Sequence, residues 1–324
     1  MPRATIVVPA YNVAATLPAT LASLRAQTFG DVEILVVDDG STDRTASIAR
    51  STGDTRVRLV QQPNRGLAGA RNTGIHHARG AYVGFCDADD LWRPGKLAAH
   101  VAHLDDAPEV GLSYSGSEMI DEAGCSLGLA QRPRLRDVTA AHILKRNPVG
   151  NGSAAVLRRS ALDAIAWRPR LERHRDWWFD ETLRQSEDIE CWLRLGLTTD
   201  WEIEGIPGLL TRYRIAGGGL SAGIDAQYAS WERAMAGLVP VAPEFMARHL
   251  PAARAYQLRY LARRAVSAGQ GRRAAALCAQ SLRTSLRPLA EEPAKTLTTL
   301  AAASLMSLTG SLPLRPGAIR STAS

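Results

Sequence analysis

The stretch EILVVDDGS, residues 33–41, decides the fold, because it is an apolar strand that ends in two carboxylates and a glycine turn. Its consecutive apolar residues, 34–37, suit a strand that is covered on both faces, and Ile6-Val7-Val8 has the same character. In an open parallel sheet, ligands bind beyond the carboxyl ends of the strands. Asp38 and Asp39 are therefore predicted to face a binding crevice.

The sequence around this stretch alternates strands and helices, which is typical of an α/β fold with a mostly parallel sheet flanked by helices. Strands are predicted at residues 5–9, 33–37, 57–61 and 81–86, with further short strands near 201–203 and 209–214. Helical spacing appears at residues 17–24, 68–78, 97–104 and 187–197. Residues 117–185 are less periodic and are interpreted as insertions and loops around a site. From residue 227 to about 308, Ala, Leu and Arg predict an all-α extension.

The composition is that of a folded globular protein. The 324 residues are 45% hydrophobic and 22% charged, which excludes a disordered chain or a collagen-like fibre. The net charge of +7 is concentrated in residues 251–324, which carry 11 Lys and Arg against 2 Asp and Glu.

Four scattered cysteines, and a strand that follows Met1 almost at once, predict a protein of the reducing cytosol that is not exported. Residues 296–314 are too polar to predict a membrane-spanning helix.

A second acidic strand end occurs in GFCDADD, residues 84–90. Asp87 and Asp89 lie on the same side of an extended chain, and carboxylate oxygens are the ligands that Mg²⁺ and Mn²⁺ prefer. As an alternative, both acidic groups cap helices or line solvated turns. Two acidic ends in one α/β layer favour the metal site. A receiver domain also has such ends, but it leaves the chain after residue 120 unexplained.

Two further segments carry candidate residues. The loop NRGLAGARNTG, residues 64–74, places Arg71 where it could contact a base or a phosphate, but its glycines do not have the spacing of a dinucleotide or P-loop motif. The second segment, Glu187-Asp188, opens a predicted helix. These carboxylates either complement the helix dipole or provide Asp188 as a general base.

Four segments together resemble family 2 glycosyltransferases, the inverting enzymes with the GT-A fold. They are IVVPAYN (residues 6–12), VDDGSTD (37–43), DADD (87–90) and Glu187-Asp188. The order of the segments is that of the family, and bacterial exopolysaccharide transferases of the succinoglycan type are the most similar. Weaker matches are residues 64–74 and Tyr213-Arg214 with Leu220-Ser221.

The resemblance implies a role for each candidate residue. Pro9, Tyr11, Asp38, Asp39, Arg71 and Asp87 would bind the nucleotide, which is expected to be uridine diphosphate. Asp89 would ligate Mn²⁺ or Mg²⁺, and Asp188 would be the general base. Residues 1–225 would form the GT-A domain, with a nucleotide-binding half (1–116) and an acceptor-binding half (117–225). Residues 226–324 would form a basic helical region.

The expected reaction transfers one sugar from a nucleotide-diphosphate sugar to a hydroxyl of a glycan or lipid-linked acceptor. The chain has CWLR at residues 191–194, where processive synthases carry Q-x-x-R-W, so single-sugar addition is predicted. Many relatives have a histidine shortly after the Tyr-Arg pair. This chain has Ala216 in that region, which leaves a third protein ligand to the metal open.

The basic tail predicts peripheral binding to an anionic membrane at the inner face of the cell membrane, or else a solvated or oligomeric face. The arginines concerned are Arg254, Arg259, Arg263, Arg264, Arg272, Arg273, Arg283 and Arg287. Nucleic acid is not expected, because the tail has few aromatic residues for stacking. A nucleotidyltransferase and an inactive sugar-binding protein of the same fold are the alternative functions.

Overall fold

The computed structural model describes residues 1–170, 172, 174–215 and 223–309. The chain forms two compact units: unit 1 contains Met1–Ala140 and Pro148–Gly219, and unit 2 contains Ala141–Asn147 and Leu220–Ser324. The functional division predicted at residues 116 and 225 stays a prediction.

In its described residues, unit 1 is built on a nine-stranded mixed sheet. Its strands are β1 (Ala4–Ala10), β2 (Val32–Asp38), β3 (Val57–Gln61), β4 (Tyr82–Phe85), β5 (Leu91–Trp92), β6 (Val110–Ile120), β7 (Ser126–Gln131), β8 (Ala155–Arg158) and β9 (Glu202–Arg214). The spatial order is β3-β2-β1-β4-β8-β6-β9-β5, with β7 paired to β6. The first four strands are parallel, and β1 and β2 are buried along their whole length. The predicted mostly parallel sheet is confirmed.

The helices up to residue 198 are α1 (Leu17–Arg25), α2 (Thr45–Arg50), α3 (Gly66–His77), α4 (Lys96–Asp106), α5 (Ala140–Lys145), α6 (Arg159–Ala164) and α7 (Glu187–Thr198). A 3-10 turn occupies Gly152–Ala154. Helices α1, α3, α4 and α7 confirm the four predicted from apolar spacing. The inward side chains of α1 and α4 pack on β1, β2 and β4 in one apolar core.

Two sequence interpretations of unit 1 are wrong in detail. Residues 117–185 are not only loops, because β7 and β8 lie there and pair with β6. The two short strands near 201–203 and 209–214 are one strand, β9, whose pairing with β6 contains bulges. The glycines within β9 make this part of the sequence resemble two strands separated by a turn. In the structure, Gly205 lies inside the strand, at a position where a side chain would collide with the ring of Tyr114.

Unit 2 is helical in its described part. Its helices are α8 (Ile224–Leu238), α9 (Pro243–Ser267), α10 (Gly271–Thr284), α11 (Arg287–Glu291) and α12 (Pro293–Thr309). Helices α9, α10 and α12 share an apolar core that includes Leu261, Leu277 and Met306. Across the described ranges, no helix combines the length and the apolar character needed to cross a bilayer. The predicted helical extension is confirmed to residue 309.

Candidate active site

The candidate residues follow strands whose carboxyl ends meet at one edge of the sheet. Strand β1 lies between β2 and β4 and is parallel to both, so Tyr11, Asp39 and Asp87 leave the sheet from neighbouring strands. The antiparallel β8 separates β4 from β6, and β9 is parallel to β6. The end of β9, with Tyr213 and Arg214, therefore reaches the same edge. This is the edge at which open α/β sheets bind ligands.

Asp39 is buried and caps α3. Its carboxylate accepts hydrogen bonds from the main-chain N–H groups of Arg65 and Gly66, both at 2.8 Å, and from Gln62 Nε2 at 2.6 Å. Helix capping was the alternative to ligand binding for this aspartate. Asp39 does cap a helix, but that helix is α3 and not α2, which follows Asp39 directly in the chain. The buried Asp38 accepts from the Ser41 N–H at 3.1 Å and from Gln61 Nε2 at 3.0 Å. Both carboxylates order the turn after β2.

The loop after β1 is fastened to the turn after β2. Asn12 has a φ of 53° and accepts a hydrogen bond from the Thr42 N–H at 2.8 Å, while its own N–H donates to Ser41 Oγ at 3.0 Å. Pro9 is buried within β1, whereas the side chain of Tyr11 is 51% exposed. Tyr11 therefore presents a free aromatic surface at the edge where a base could stack.

Arg71 joins two acidic segments that are distant in sequence. Its side chain is buried; Nη2 donates to Asp87 Oδ1 at 2.8 Å and Nη1 to Glu187 Oε1 at 2.6 Å. Burial alone lowers the pKa of Arg71, but the charges of Asp87, Glu187 and Asp188 raise it above its ordinary value. The acidic strand end and the Glu187-Asp188 pair thus meet around one permanent cation.

The pKa values of Glu187 and Asp188 are raised. Burial, opposed by Arg71 and reinforced by Asp188, raises the pKa of Glu187 to about 7. Burial also raises the pKa of Asp188, although Arg71 and the Ile189 N–H, which donates to Asp188 Oδ1 at 2.7 Å, act in the opposite direction. A partly buried carboxylate with a raised pKa is a stronger base than an ordinary aspartate.

An aromatic cluster fixes the start of α7 beside β4. Phe179 packs edge-on against Phe85 at 5.4 Å and against Trp192 at 5.8 Å between ring centroids. Asn72 of α3 holds the same segment, because its amide donates to the Phe179 carbonyl at 2.8 Å and accepts from the Phe179 N–H at 2.8 Å. Strand β4, the segment before α7 and α3 are therefore held together within a few ångströms of Arg71.

The weak sequence signal at residues 64–74 has a structural explanation. Helix α3 lies so close to β1 that a Cβ atom at Gly74 would come within 2.1 Å of Val7 Cγ1. Its N-terminus is capped by Asp39, and Arg71 lies about 8 Å further along the helix axis. One rigid helix therefore connects the residues after β2 with the acidic pair of α7.

Ser186, immediately before α7, has a φ of 66°, in the left-handed region. We expect Ser186→Gly to raise the free energy of unfolding by up to about 1 kcal/mol, since glycine adopts this conformation without strain. We expect Ser186→Val to lower it by about 1–2 kcal/mol, because β-branched side chains clash there. Denaturant unfolding of both variants measures the difference.

The control for this prediction is Ser160→Gly, at an exposed position within α6. Glycine within a helix is expected to lower the free energy of unfolding by about 0.5–1 kcal/mol. If both glycine variants lose the same stability, the left-handed conformation of Ser186 is not strained.

The donor set around Asp89 fits a divalent cation bound jointly by the protein and a substrate. Burial, and next the charge of Asp87, raise the pKa of Asp89 to about 6. Arg214 lies beside it, but the Arg214 side chain donates to the main-chain carbonyls of Asp89 (2.7 Å), Asp121 (2.8 Å) and Glu122 (2.6 Å). Within the described ranges, no three His, Cys, Asp or Glu side chains form a metal-binding group. Magnesium sites commonly use one or two carboxylates with substrate phosphates and water.

Asp90 and Tyr213 complete the acidic edge. Asp90 is buried; its Oδ1 accepts from the Arg214 N–H at 2.9 Å, and burial raises its pKa well above the ordinary value. Burial also raises the pKa of Tyr213, reinforced by the charges of Asp90, Asp87, Asp89 and Asp188. The phenol of Tyr213 thus lies within electrostatic range of all four carboxylates. In the sequence, Tyr213-Arg214 is only a weak match to the family. The sequence does not show which acidic groups the end of β9 approaches.

The structure therefore gathers Arg71, Asp87, Asp89 and Asp188 near Tyr213, and it places Asp39 at the other end of the α3 segment that leads to Arg71. Pro9, Tyr11 and Asp38 lie at the same edge of the sheet. Ala216, the glycine run at residues 217–219 and Leu220-Ser221 lie outside the described residues. The predicted ligand contacts of these side chains stay predictions.

Comparison with known proteins identifies the family. The family model described as Glycosyl transferase family 2 matches residues 5–166, which is half of the chain. Curated relatives include Succinoglycan biosynthesis protein ExoO of Rhizobium meliloti (strain 1021), 35% identical over 196 residues, with 58% of this chain and 54% of ExoO covered. Another is UDP-Glc:alpha-D-GlcNAc-diphosphoundecaprenol beta-1,3-glucosyltransferase WfaP of Escherichia coli, 36% identical over 116 residues, with 36% and 46% covered. The chain thus matches about half of the length of these relatives.

Solved structures show the same fold. S. aureus TarS 1-349 in complex with UDP-GlcNAc has a TM-score of 0.61 and 18% identity, covering 96% of this chain and 93% of that chain. Mannosyltransferase PcManGT from Pyrobaculum calidifontis, in complex with GDP-Man and Mn2+, has a TM-score of 0.55 and 22% identity, covering 95% and 87%. The predicted GT-A fold and the resemblance to succinoglycan-type transferases are confirmed.

Proposed function

We propose that this chain, which belongs to glycosyl transferase family 2, is a metal-dependent inverting glycosyltransferase that adds one sugar at a time. The donor is a nucleotide-diphosphate sugar, and the acceptor is a hydroxyl of a glycan or of a lipid-linked saccharide. The observation that carries the proposal is the convergence of Asp87, Glu187 and Asp188 on the buried Arg71. This convergence supports the assignment of Asp188 as a base beside the proposed diphosphate site.

The donor is proposed to be UDP-linked. TarS was solved with UDP-GlcNAc, and the name of WfaP specifies UDP-Glc, whereas PcManGT was solved with GDP-Man. In this chain, Pro9, Tyr11, Asp38 and Asp39 surround the ends of β1 and β2. Tyr11 would stack on the base. One lone pair of the Asp39 carboxylate remains for a base N–H, because three donors already occupy the others.

Asp188 removes the proton from the acceptor hydroxyl in the proposed reaction. The acceptor oxygen bonds to the anomeric carbon from the face opposite the leaving group. The bond from that carbon to the diphosphate oxygen breaks, and its electron pair leaves with the nucleoside diphosphate. Arg71 donates to both Asp87 and Glu187 and holds them in place, so these acidic groups keep their positions while Asp188 accepts the proton.

Asp89, with Asp87 nearby, would hold Mn²⁺ or Mg²⁺ in this proposal. Such a cation, when bound, neutralises the charge that develops on the departing diphosphate. Arg214 orders the backbone on which Asp89 lies, because it donates to the Asp89 carbonyl and its own N–H donates to Asp90. Tyr213, kept protonated by its raised pKa, can donate a hydrogen bond at the same edge.

Calorimetry of UDP binding, with and without Mn²⁺, tests the donor site. We expect Mn²⁺ to strengthen UDP binding to the wild-type protein, and we expect Asp89→Asn to weaken the Mn²⁺-dependent affinity by about tenfold or more, because a cation ligand is lost. The control variant is Asp106→Asn at the exposed end of α4. Equal UDP affinity with and without Mn²⁺ in the wild-type protein would contradict metal dependence.

The acceptor is proposed to be lipid-linked and used in bacterial surface or exopolysaccharide synthesis at the cytoplasmic face of the membrane. ExoO is a succinoglycan biosynthesis protein, and the name of WfaP specifies a diphosphoundecaprenol acceptor. The basic helices of unit 2 would bind the anionic membrane surface. Several arginines of the tail are already paired, namely Arg254 with Glu232, Arg259 with Glu292 and Arg273 with Asp225. The arginines that remain exposed include Arg272, Arg283 and Arg287.

A further inference from the structure

Helix α12 has an outward face that carries no charge and is apolar except for exposed hydroxyl residues such as Ser304. Leu297, Leu305 and Leu308 are 53%, 57% and 86% exposed, and Ala301 lies exposed on the same face. Their spacing of four, four and three residues forms one stripe along the helix. The single charged residue of this 17-residue helix is Lys295, in its first turn.

The opposite face of α12 is already used. Thr296, Thr299, Ala303 and Met306 are buried, and the last two belong to the core formed with α9 and α10. The leucine stripe is therefore distinct from the face of α12 that packs in the core. It is a second apolar surface on a helix that is packed on its other side.

Two outward hydroxyl groups of α12, those of Thr298 and Thr309, do not require water as a hydrogen-bond acceptor. Thr298 Oγ1 donates to the Ala294 carbonyl at 2.7 Å, and Thr309 Oγ1 donates to the Leu305 carbonyl at 2.9 Å. Polar groups that are satisfied within the helix cost less free energy when they leave water. This face can therefore enter an apolar phase more easily than its threonine content alone indicates.

The charge around α12 indicates what covers the stripe. Residues 141–147 and 223–309, the described part of unit 2, contain 13 Lys and Arg against 5 Asp and Glu. Arg272, Arg283 and Arg287 are exposed and form no ion pair with an acidic side chain in this part of the chain. A second copy would bring like charges together, which opposes association. An anionic lipid surface attracts the same charges, by about 1 kcal/mol for each basic side chain near it.

We propose that α12 is an interfacial helix, whose stripe of Leu297, Ala301, Leu305 and Leu308 inserts among the lipids of an anionic bilayer. The helix lies in the plane of the membrane surface and does not cross it. This inference rests on the proposed function and specifies how its membrane contact is made. It assigns the apolar part of that contact to α12 and leaves long-range attraction to the arginines.

Flotation of the full chain with vesicles tests the proposal. The vesicles contain either phosphatidylcholine alone or two parts phosphatidylcholine to one part phosphatidylglycerol. We expect binding to the anionic vesicles only, and we expect the double substitution Leu305→Ser and Leu308→Ser to weaken it by at least about tenfold, because two leucines no longer leave water. Both positions are exposed in the unbound protein, so the variant retains its core.

The matched control replaces two exposed leucines of unit 1, Leu127→Ser and Leu129→Ser, which are 44% and 56% exposed. We expect this variant to bind anionic vesicles like the wild-type protein. Loss of binding in the control but not in the α12 variant would overturn the proposal in favour of the β7 surface. A change of oligomeric state in the α12 variant, measured by light scattering with unchanged vesicle binding, would overturn it in favour of a second copy.

UDP calorimetry on the same samples separates this inference from the proposed function. Both leucine variants are expected to bind UDP with Mn²⁺ like the wild-type protein. A wild-type protein that binds anionic vesicles but not UDP would refute the proposed donor and leave the role of α12 standing. A wild-type protein that binds UDP but floats with neither vesicle type would refute the role of α12 and leave the donor site standing.

Discussion

The Asp188→Asn protein is expected to transfer sugar at least about a hundredfold more slowly than the wild-type protein, because an amide cannot accept the proton of the attacking hydroxyl. The amide keeps the shape of the carboxylate and removes one of the three negative charges near Arg71. Its affinity for UDP with Mn²⁺ is expected to change by less than about threefold. Release of UDP from a panel of nucleotide sugars, with lipid-linked acceptor extract, measures the rate, and calorimetry measures the affinity.

The control for this prediction is Asp200→Asn, an exposed aspartate just beyond the other end of α7. It changes the same functional group at the opposite end of the helix and is expected to leave both readouts unchanged. If Asp188→Asn retains the wild-type rate, Asp188 is not the base. If it loses UDP binding as well, its main contribution is to the donor site rather than to proton transfer.

Replacing Arg71 by methionine is expected to lower the free energy of unfolding by about 3–5 kcal/mol, because one buried and one partly buried ion pair lose their common cation and the carboxylates remain. Transfer activity is expected to fall with it, since the pairs position Asp87 and Glu187. Denaturant unfolding, followed by the fluorescence of tryptophans such as the buried Trp192, measures the stability. Arg3→Met, which removes the exposed pair with Asp105, is the control and is expected to cost less than about 1 kcal/mol.

The loss of stability in Arg71→Met should depend on pH in a defined direction. The pKa of Glu187 in the folded protein is about 7, above its ordinary value of 4.5, so folding favours the protonated form. This group destabilises the folded state progressively as the pH rises from 4.5 through 7. Without Arg71 the pKa rises further, and the variant is expected to lose more stability at pH 8 than at pH 5. Adding Glu187→Gln should restore part of the stability at pH 8. A deficit that is independent of pH would contradict the electrostatic explanation.

The central strands β1 and β2 could be predicted closely because they are buried on both faces of the sheet. Residues 33–37 were predicted and Val32–Asp38 are observed; residues 5–9 were predicted and Ala4–Ala10 are observed. A continuous apolar run is a local signal, and burial on both sides preserves it. Strand β7 could not be predicted in this way, since its first four residues are exposed and it has no inward pattern to display.

The candidate site was predictable in its residue types but not in its connections. Acidic residues at strand ends and at a helix start are visible in the sequence, and they led to Asp39, Asp87, Asp89 and Asp188. The pairing of Arg71 with Glu187 spans 116 positions and depends on how α3 and α7 pack. Arg71 was expected to contact the nucleotide, and its buried position between two carboxylates has no local signature.

The tight packing of α3 restricts how such an enzyme can be redesigned. Gly74 leaves no room for a larger side chain against Val7, and the same helix carries the Asp39 cap and Arg71. Substitutions that tilt or shift α3 would disturb both ends of the acidic edge together. Directed evolution toward a different donor nucleotide is therefore better confined to the exposed loop that contains Tyr11, where sequence can vary without moving this helix.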